Sequence, residues 1–205
     1  MLQPLLKRTA IGITCILAAA TAWASPEIGA PAPTFSATDA KGKPVDLASF
    51  KGKTVVLEWT NHECPFVKKH YESGNMPELQ KEAVDQGVVW LQVISSAPGQ
   101  QGYVDGPTAL KLNSDRSAAP SEVLLDPEGK VGKLYGAQTT PHIFIIDAKG
   151  QLVYKGGIDS IASNKKEDIA KAENYVSTSL AAIASGKKIA NPSTKPYGCS
   201  VKYAG

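Results

Sequence analysis

The chain has 205 residues, 42% hydrophobic, 20% charged and 7% aromatic, enough to bury one substantial core and to make a single domain the default. Eighteen Gly and fourteen Pro without a period exclude collagen-like and low-complexity chains, and the charge content excludes wholesale disorder. The formal net charge is +3; losing Lys7 and Arg8 with the segment described next takes two from the 22 basic residues and leaves 20 against 19 acidic, a balance with no electrostatic grip on nucleic acid or an anionic membrane.

Residues 1–24 carry a short basic head (Lys7, Arg8), an apolar run from Ala10 to Ala22 and the small-x-small triplet Ala22-Trp23-Ala24. This pattern predicts a signal peptide cleaved after Ala24, and so a periplasmic or secreted protein with no membrane attachment after cleavage. The apolar run is shorter than the roughly 20 residues that span a bilayer. Cys15 lies inside it and leaves with it. Residues 25–205 then form one domain, with residues 186–205 as a tail lacking periodicity, and two cysteines, Cys64 and Cys199, remain in a compartment where disulfides persist.

After a Pro-rich start, Thr34 to Asp39 and Lys43 to Leu47 flank Asp39-Ala40-Lys41-Gly42 and predict an N-terminal β-hairpin. Thr54 to Trp59 is a β-branched apolar run, a central strand. A helix is expected to start at Cys64-Pro65, since proline suits the first helical position, and to run in two pieces, Pro65 to Tyr71 and Pro77 to Asp85. Val88 to Ser95 is a strand, Ala97 to Gly106 a surface loop, Thr108 to Asp115 a weak helix. Glu122 to Leu125 is a short strand and Lys130 to Tyr135 a helical turn. His142 to Ile146 and Leu152 to Tyr154 read as strands joined by the tight turn Asp147-Ala148-Lys149-Gly150. Ile169, Ala172, Val176, Leu180 and Ile183 predict a helix from Glu167 to Ala184, closed by Gly186. Alternating strands and helices followed by a hairpin and a helix describe an α/β fold with a mixed sheet.

Trp59-Thr60-Asn61-His62-Glu63-Cys64-Pro65-Phe66, together with Thr139-Thr140-Pro141-His142, resembles the thioredoxin superfamily. There a cysteine caps the first helix after a central strand, and a Thr-Pro dipeptide with a cis bond faces it. The entry hairpin, Leu124 to Gly129 and Leu152 to Asp159 look like the redoxin branch, comprising alkyl hydroperoxide reductase/thiol-specific antioxidant (AhpC/TSA) and TlpA-like proteins. The resemblance implies a thioredoxin-like fold, with a central mixed sheet flanked by helices, and a redox thiol at Cys64. It also implies an active loop containing Trp59, His62 and Pro65, and the cis-proline pair Thr140 and Pro141, whose backbone can align with an extended substrate chain. Two departures matter. Val67 and Asn61 stand three residues either side of Cys64, so there is no CxxC partner, and Leu57 and Asn61 replace the peroxiredoxin proline and threonine. The loop and the C-terminal Pro-Tyr-Gly-Cys-Ser-Val-Lys-Tyr look closest to a peroxiredoxin-like subgroup.

Helix-start amides and the helix dipole favour a thiolate, by ~0.3–1 kcal/mol. That falls short of full activation, so His62 and Lys68 are candidate helpers while Glu63 opposes, and a moderately activated nucleophile is expected. From Ser185 the tail can extend up to about 46 Å to Cys199, against a radius of gyration near 16 Å. Cys199 can therefore meet Cys64 either as resolving cysteine or as half of a permanent staple. His62 and His142 beside Cys64 offer an alternative soft copper site, but the thioredoxin-fold chaperone pattern for it is absent, and neither a metal nor a cofactor is expected. His70 with Lys68 and Lys69 reads as a solvated helix face, and Trp59, Tyr197 and Tyr203 as packing residues. The leading expectation is an exported thiol-disulfide oxidoreductase or thiol peroxidase acting on a thiol- or disulfide-bearing protein or a small peroxide. The alternatives are a non-catalytic binding domain with a structural bridge and, third, a copper chaperone.

Overall fold

The computed structural model describes residues 25–205; the predicted leader, with Cys15 and the cleavage position after Ala24, lies outside them. Nine strands and five α-helices follow: β1 (Ser36–Asp39), β2 (Pro44–Asp46), β3 (Val55–Trp59), α1 (Pro65–Glu72), α2 (Asn75–Asp85), β4 (Val89–Ile94), α3 (Gly106–Asp115), β5 (Glu122–Leu125), α4 (Lys130–Tyr135), β6 (Thr139–Thr140), β7 (His142–Ile146), β8 (Leu152–Gly156), α5 (Tyr175–Ala184) and β9 (Cys199–Ser200). Seven strands form one sheet in the order β2-β1-β5-β4-β3-β7-β8, and β6 pairs with β9 in a second, two-stranded one.

Strands β3, β4 and β5 run parallel, while β7 and β8 on one side and β1 and β2 on the other run antiparallel. The adjacent strands β4, β3 and β7 are largely apolar on both faces because both faces are covered, as the continuous runs of the sequence anticipate. Every residue of β3, β4 and β7 is buried. One face packs Leu57, Trp59, Leu91, Tyr135 and Phe144 under α4. The other packs Val56, Trp90, Ile143, Ile145 and Tyr154 against α1, α2 and α5, and its core includes Cys64. The predicted hairpin is β1-β2, in register Ala37↔Val45, and the break between α1 and α2 falls at Gly74, whose φ of +82° few side chains tolerate.

The long helix expected over 167–184 forms only in its second half. Lys166–Lys171 is a 3-10 turn with no buried residue, so its apolar spacing finds no surface to cover. The helix starts instead where Asn174 Oδ1 accepts from the amides of Val176 and Ser177, and Asp159 bridges to Asn174. A side-chain cap and a tertiary contact together outweigh the periodic pattern. The tail is ordered on the body of the domain: Lys155 N donates to Pro192 O (3.0 Å) and Thr194 N to Lys155 O (3.0 Å), laying it along β8. Replacing Asn174 by Ala is expected to cost about 1 kcal/mol of unfolding free energy, measured by urea denaturation; an unchanged midpoint would show that the Asp159 contact alone starts α5.

Candidate active site

Strand β3 carries the chain through the core and ends at Trp59, after which Thr60 to Glu63 turn it towards α1. Asn61 sets this turn: its Oδ1 accepts from Glu63 N (2.9 Å), its carbonyl from Cys64 N (3.0 Å), and its Nδ2 donates to Gln101 O (3.3 Å). Glu63 is drawn aside, its carboxylate accepting from Gly102 N. Cys64 is the N-cap of α1, extended at φ −70° and ψ 123°, with Pro65 following. Its carbonyl accepts from Val67 N and Lys68 N as the first helical turn closes.

The Cys64 side chain is wholly buried and its Sγ donates to Thr140 O at 3.1 Å. Thr140-Pro141 is cis. On the other edge of Thr140 lies β9, antiparallel, with Thr140 opposite Cys199 and Thr139 opposite Ser200. One backbone carbonyl therefore touches the first thiol while the same residue pairs with the second. Both cysteines are free, and Cys199 lies within hydrogen-bonding reach of Cys64; burial, that bond and the charge at Cys64 push the Cys199 thiol up to about 12, with Lys202 opposing.

From Tyr197 to Tyr203 the tail is a strap across the site. Val201 N donates to Gln138 O, Lys202 O accepts from Ala97 N, and Tyr203 OH donates to Ala137 O. Gly198, between Tyr197 and Cys199, has φ +140°, and a Cβ there would collide with the Thr140 carbonyl.

Of the other residues singled out in the sequence, Pro65 sits at the helix start and His62 is half-buried in the loop. Burial, with Arg116 and Lys68, lowers His62 below its ordinary value against the pull of Glu63. Trp59 packs into the core on the opposite face from Cys64, its Nε1 donating to Ser95 Oγ. His142 is buried, lowered to about 3 chiefly by burial, and its Nδ1 accepts from Gln138 N. No group of three or more metal-binding side chains occurs among the described residues.

The α1 face read as solvated is instead partly buried. Lys69 and His70 are enclosed, at 1% and 0% exposure, with Asp159 as counter-ion: Lys69 Nζ lies 3.3 Å from Asp159 Oδ2 and donates to Ser163 O at 3.0 Å. His70 is lowered to about 4 by burial and by Lys69, against Asp159, and so is neutral at pH 7. The i, i+1 run of basic residues gave no sign of this, because the acid that neutralises it comes ninety positions later.

A second missed feature is Glu58, fully buried in β3. It accepts from Tyr71 OH (2.6 Å), Gln80 Nε2 (2.8 Å) and Trp90 Nε1 (2.8 Å). Burial raises its pKa despite these donors and Arg116.

These features define a thioredoxin-like domain with a helix-capping cysteine facing a cis-proline. The model of the AhpC/TSA family matches residues 28–155, and the chain belongs to that family. It is 30% identical over 144 residues, 70% of this chain and 78% of the other, to the thiol-disulfide oxidoreductase ResA of Bacillus thuringiensis subsp. konkukian. Among solved structures, a conserved protein of Geobacillus kaustophilus superposes with a TM-score of 0.72 at 26% identity, covering 87% of this chain and 93% of that one. The thioredoxin domain of a thiol-disulfide oxidoreductase from Bacteroides vulgatus gives 0.51 at 22% identity, covering 72% and 98%; it shares the fold.

Two predictions follow from this geometry. Since the folded state holds the Glu58 proton above the ordinary carboxylate range, wild-type stability contributed there is lost as pH rises out of that range. The unfolding free energy of E58Q relative to wild type should therefore improve with pH, by at most about 1.4 kcal/mol per unit, until Glu58 is ionised in the folded state; a difference constant from about pH 4 to 8 would contradict this. Gly198→Ala should lift β9 from Thr140, and iodoacetamide should then modify Cys64 in the reduced protein at least about tenfold faster, as access to a buried thiol becomes limiting for fewer molecules. A rate equal to wild type would show that the strap does not cover the thiol.

Proposed function

We propose that this protein is an exported thiol-disulfide oxidoreductase in which Cys64 is the nucleophile and Cys199 the resolving cysteine. The observation that carries this reading is the meeting of both thiols on Thr140, one by hydrogen bond and one by strand pairing. Cys64 stands at the N-terminus of α1, the end of a helix that favours negative charge, which assigns the attack to Cys64 rather than to Cys199. The predicted leader and the oxidoreductase name of the Bacillus relative support the reading.

In the reductive direction the Cys64 thiolate attacks one sulfur of a substrate disulfide and expels the other as a thiolate, forming a mixed disulfide. Cys199 then gives up its proton and attacks Cys64 Sγ, releasing the second substrate thiolate and leaving an intramolecular disulfide. The substrate gains two electrons and the protein loses them; a dithiol donor restores the reduced protein. The reverse sequence oxidises a substrate dithiol. The partners are thiol- or disulfide-bearing proteins, and the chemistry calls on no cofactor.

Complete burial of Cys64 in its core favours one second reading, a Cys64–Cys199 staple in a non-catalytic domain. The reduction potential separates the two: a value well below about −300 mV marks a staple and a more oxidising one a working couple. In addition, C199S should accumulate a mixed disulfide between Cys64 and a model disulfide such as oxidised glutathione, seen by mass spectrometry, whereas wild type should release it. C199S turning over a protein disulfide as fast as wild type would overturn the assignment of Cys199. Stoichiometric rather than catalytic consumption of hydrogen peroxide by the reduced protein is expected, which separates this activity from a peroxidase.

A further inference from the structure

The buried Lys69–Asp159 pair and His70 have no part in the steps above, yet all three converge on one atom of the strap. Tyr197 OH donates to Asp159 Oδ1; Lys69 Nζ lies 3.4 Å from it and His70 Nε2 3.3 Å. Asn75 Nδ2, 2.8 Å from His70 Nδ1, fixes the imidazole from behind. The Tyr197 ring meets Phe66 edge-on, with centroids 5.8 Å apart, and the Lys69 ammonium sits 5.5 Å from its centre.

Phe66, Lys69 and His70 are three and four positions apart and so share one stripe of α1, the helix whose N-cap is Cys64. Two residues beyond Tyr197 stands Cys199. The two sulfurs are thus referenced to the same short helix, one by being its cap and the other through a tyrosine pinned to its side. A buried ion pair is a poor source of net stability, because desolvation offsets its Coulomb attraction, and its best-attested use is to fix a register. A ring alone would pack against Phe66 in several positions. A hydroxyl aimed at one carboxylate oxygen, with a lysine and a neutral histidine around it, admits one.

We infer that Tyr197 is a positioning residue for the second thiol: its hydroxyl, held by Asp159, Lys69 and His70, fixes the strap in the register that sets Cys199 against Cys64. The inference rests on the proposed pairing of the two thiols and adds the device that imposes it. The strap is then a chain tethered at a defined point, and the effective concentration of Cys199 at Cys64 depends on that tether.

Tyr197→Phe tests this in the full mature chain, since it keeps the ring and removes the hydroxyl. Equilibration with reduced and oxidised glutathione, in which protein dithiol plus glutathione disulfide gives protein disulfide plus two glutathiones, should show an equilibrium constant for bridge formation about tenfold lower. That is a potential about 30 mV more oxidising. Iodoacetamide should also modify Cys64 of the reduced variant faster than wild type at temperatures well below unfolding, while the melting temperature of the reduced protein falls by only the few degrees that one lost buried hydrogen bond costs. Asp159→Asn, which keeps the shape but withdraws both the charge the hydroxyl is aimed at and the counter-ion of Lys69, should move both readouts the same way at a lower melting temperature. Wild-type values of both in Y197F would overturn the inference. A wild type that forms no bridge with glutathione, while Y197F still exposes Cys64, would sink the redox reading and leave Tyr197 as the strap's anchor.

Discussion

The Thr140 carbonyl is the constraint on which the rest of the site depends. It accepts from Cys64 at the start of α1, and its residue pairs with Cys199 in β9, so three segments distant in sequence share one peptide unit. Neither a local CxxC nor a metal is needed to bring sulfur to sulfur; a sheet edge does it. The strand immediately after Pro141 is β7, in register with β3 from Trp59↔His142 to Val55↔Ile146. The peptide that receives both thiols is therefore anchored to the same central strand that delivers Cys64, and the geometry inherits the rigidity of the core.

Much of this was legible in the residues. Continuous β-branched runs marked β3, β4 and β7 because those strands are buried on both faces, and proline after Cys64 marked the start of α1 because it needs no amide partner there. What could not be read was anything that depends on a distant polar partner. Lys69 and His70 looked solvated because Asp159 and Tyr197, which enclose them, lie far along the chain. Glu58, inside an apolar strand, gave no hint that Tyr71, Gln80 and Trp90 would converge on it. The shortened α5 has the same origin: the spacing of Ile169 and Ala172 was genuine, but the cap at Asn174 and its bridge to Asp159 decided where helix begins.

Asp159 recurs in two of these cases, the α1 face and the start of α5. It neutralises Lys69, receives Tyr197, and borders the start of α5 through Asn174. Its second oxygen contact, with Ile161 N, shapes the turn in which it sits. A carboxylate of this kind couples the tail to α1 in one buried polar cluster, which has to be satisfied throughout to be tolerated at all, while the backbone beside it pairs with the start of α5.

The order of the elements along the chain has a consequence for biogenesis. All seven strands of the main sheet, Cys64 and the cis-proline peptide precede β9, so a ribosome makes the peptide that holds Cys64 before it makes the strand that pairs with it. A chain still short of its last residues therefore carries Cys64 without the strand that pairs with Thr140, and the last strand to join is also the one that brings the second sulfur to the first.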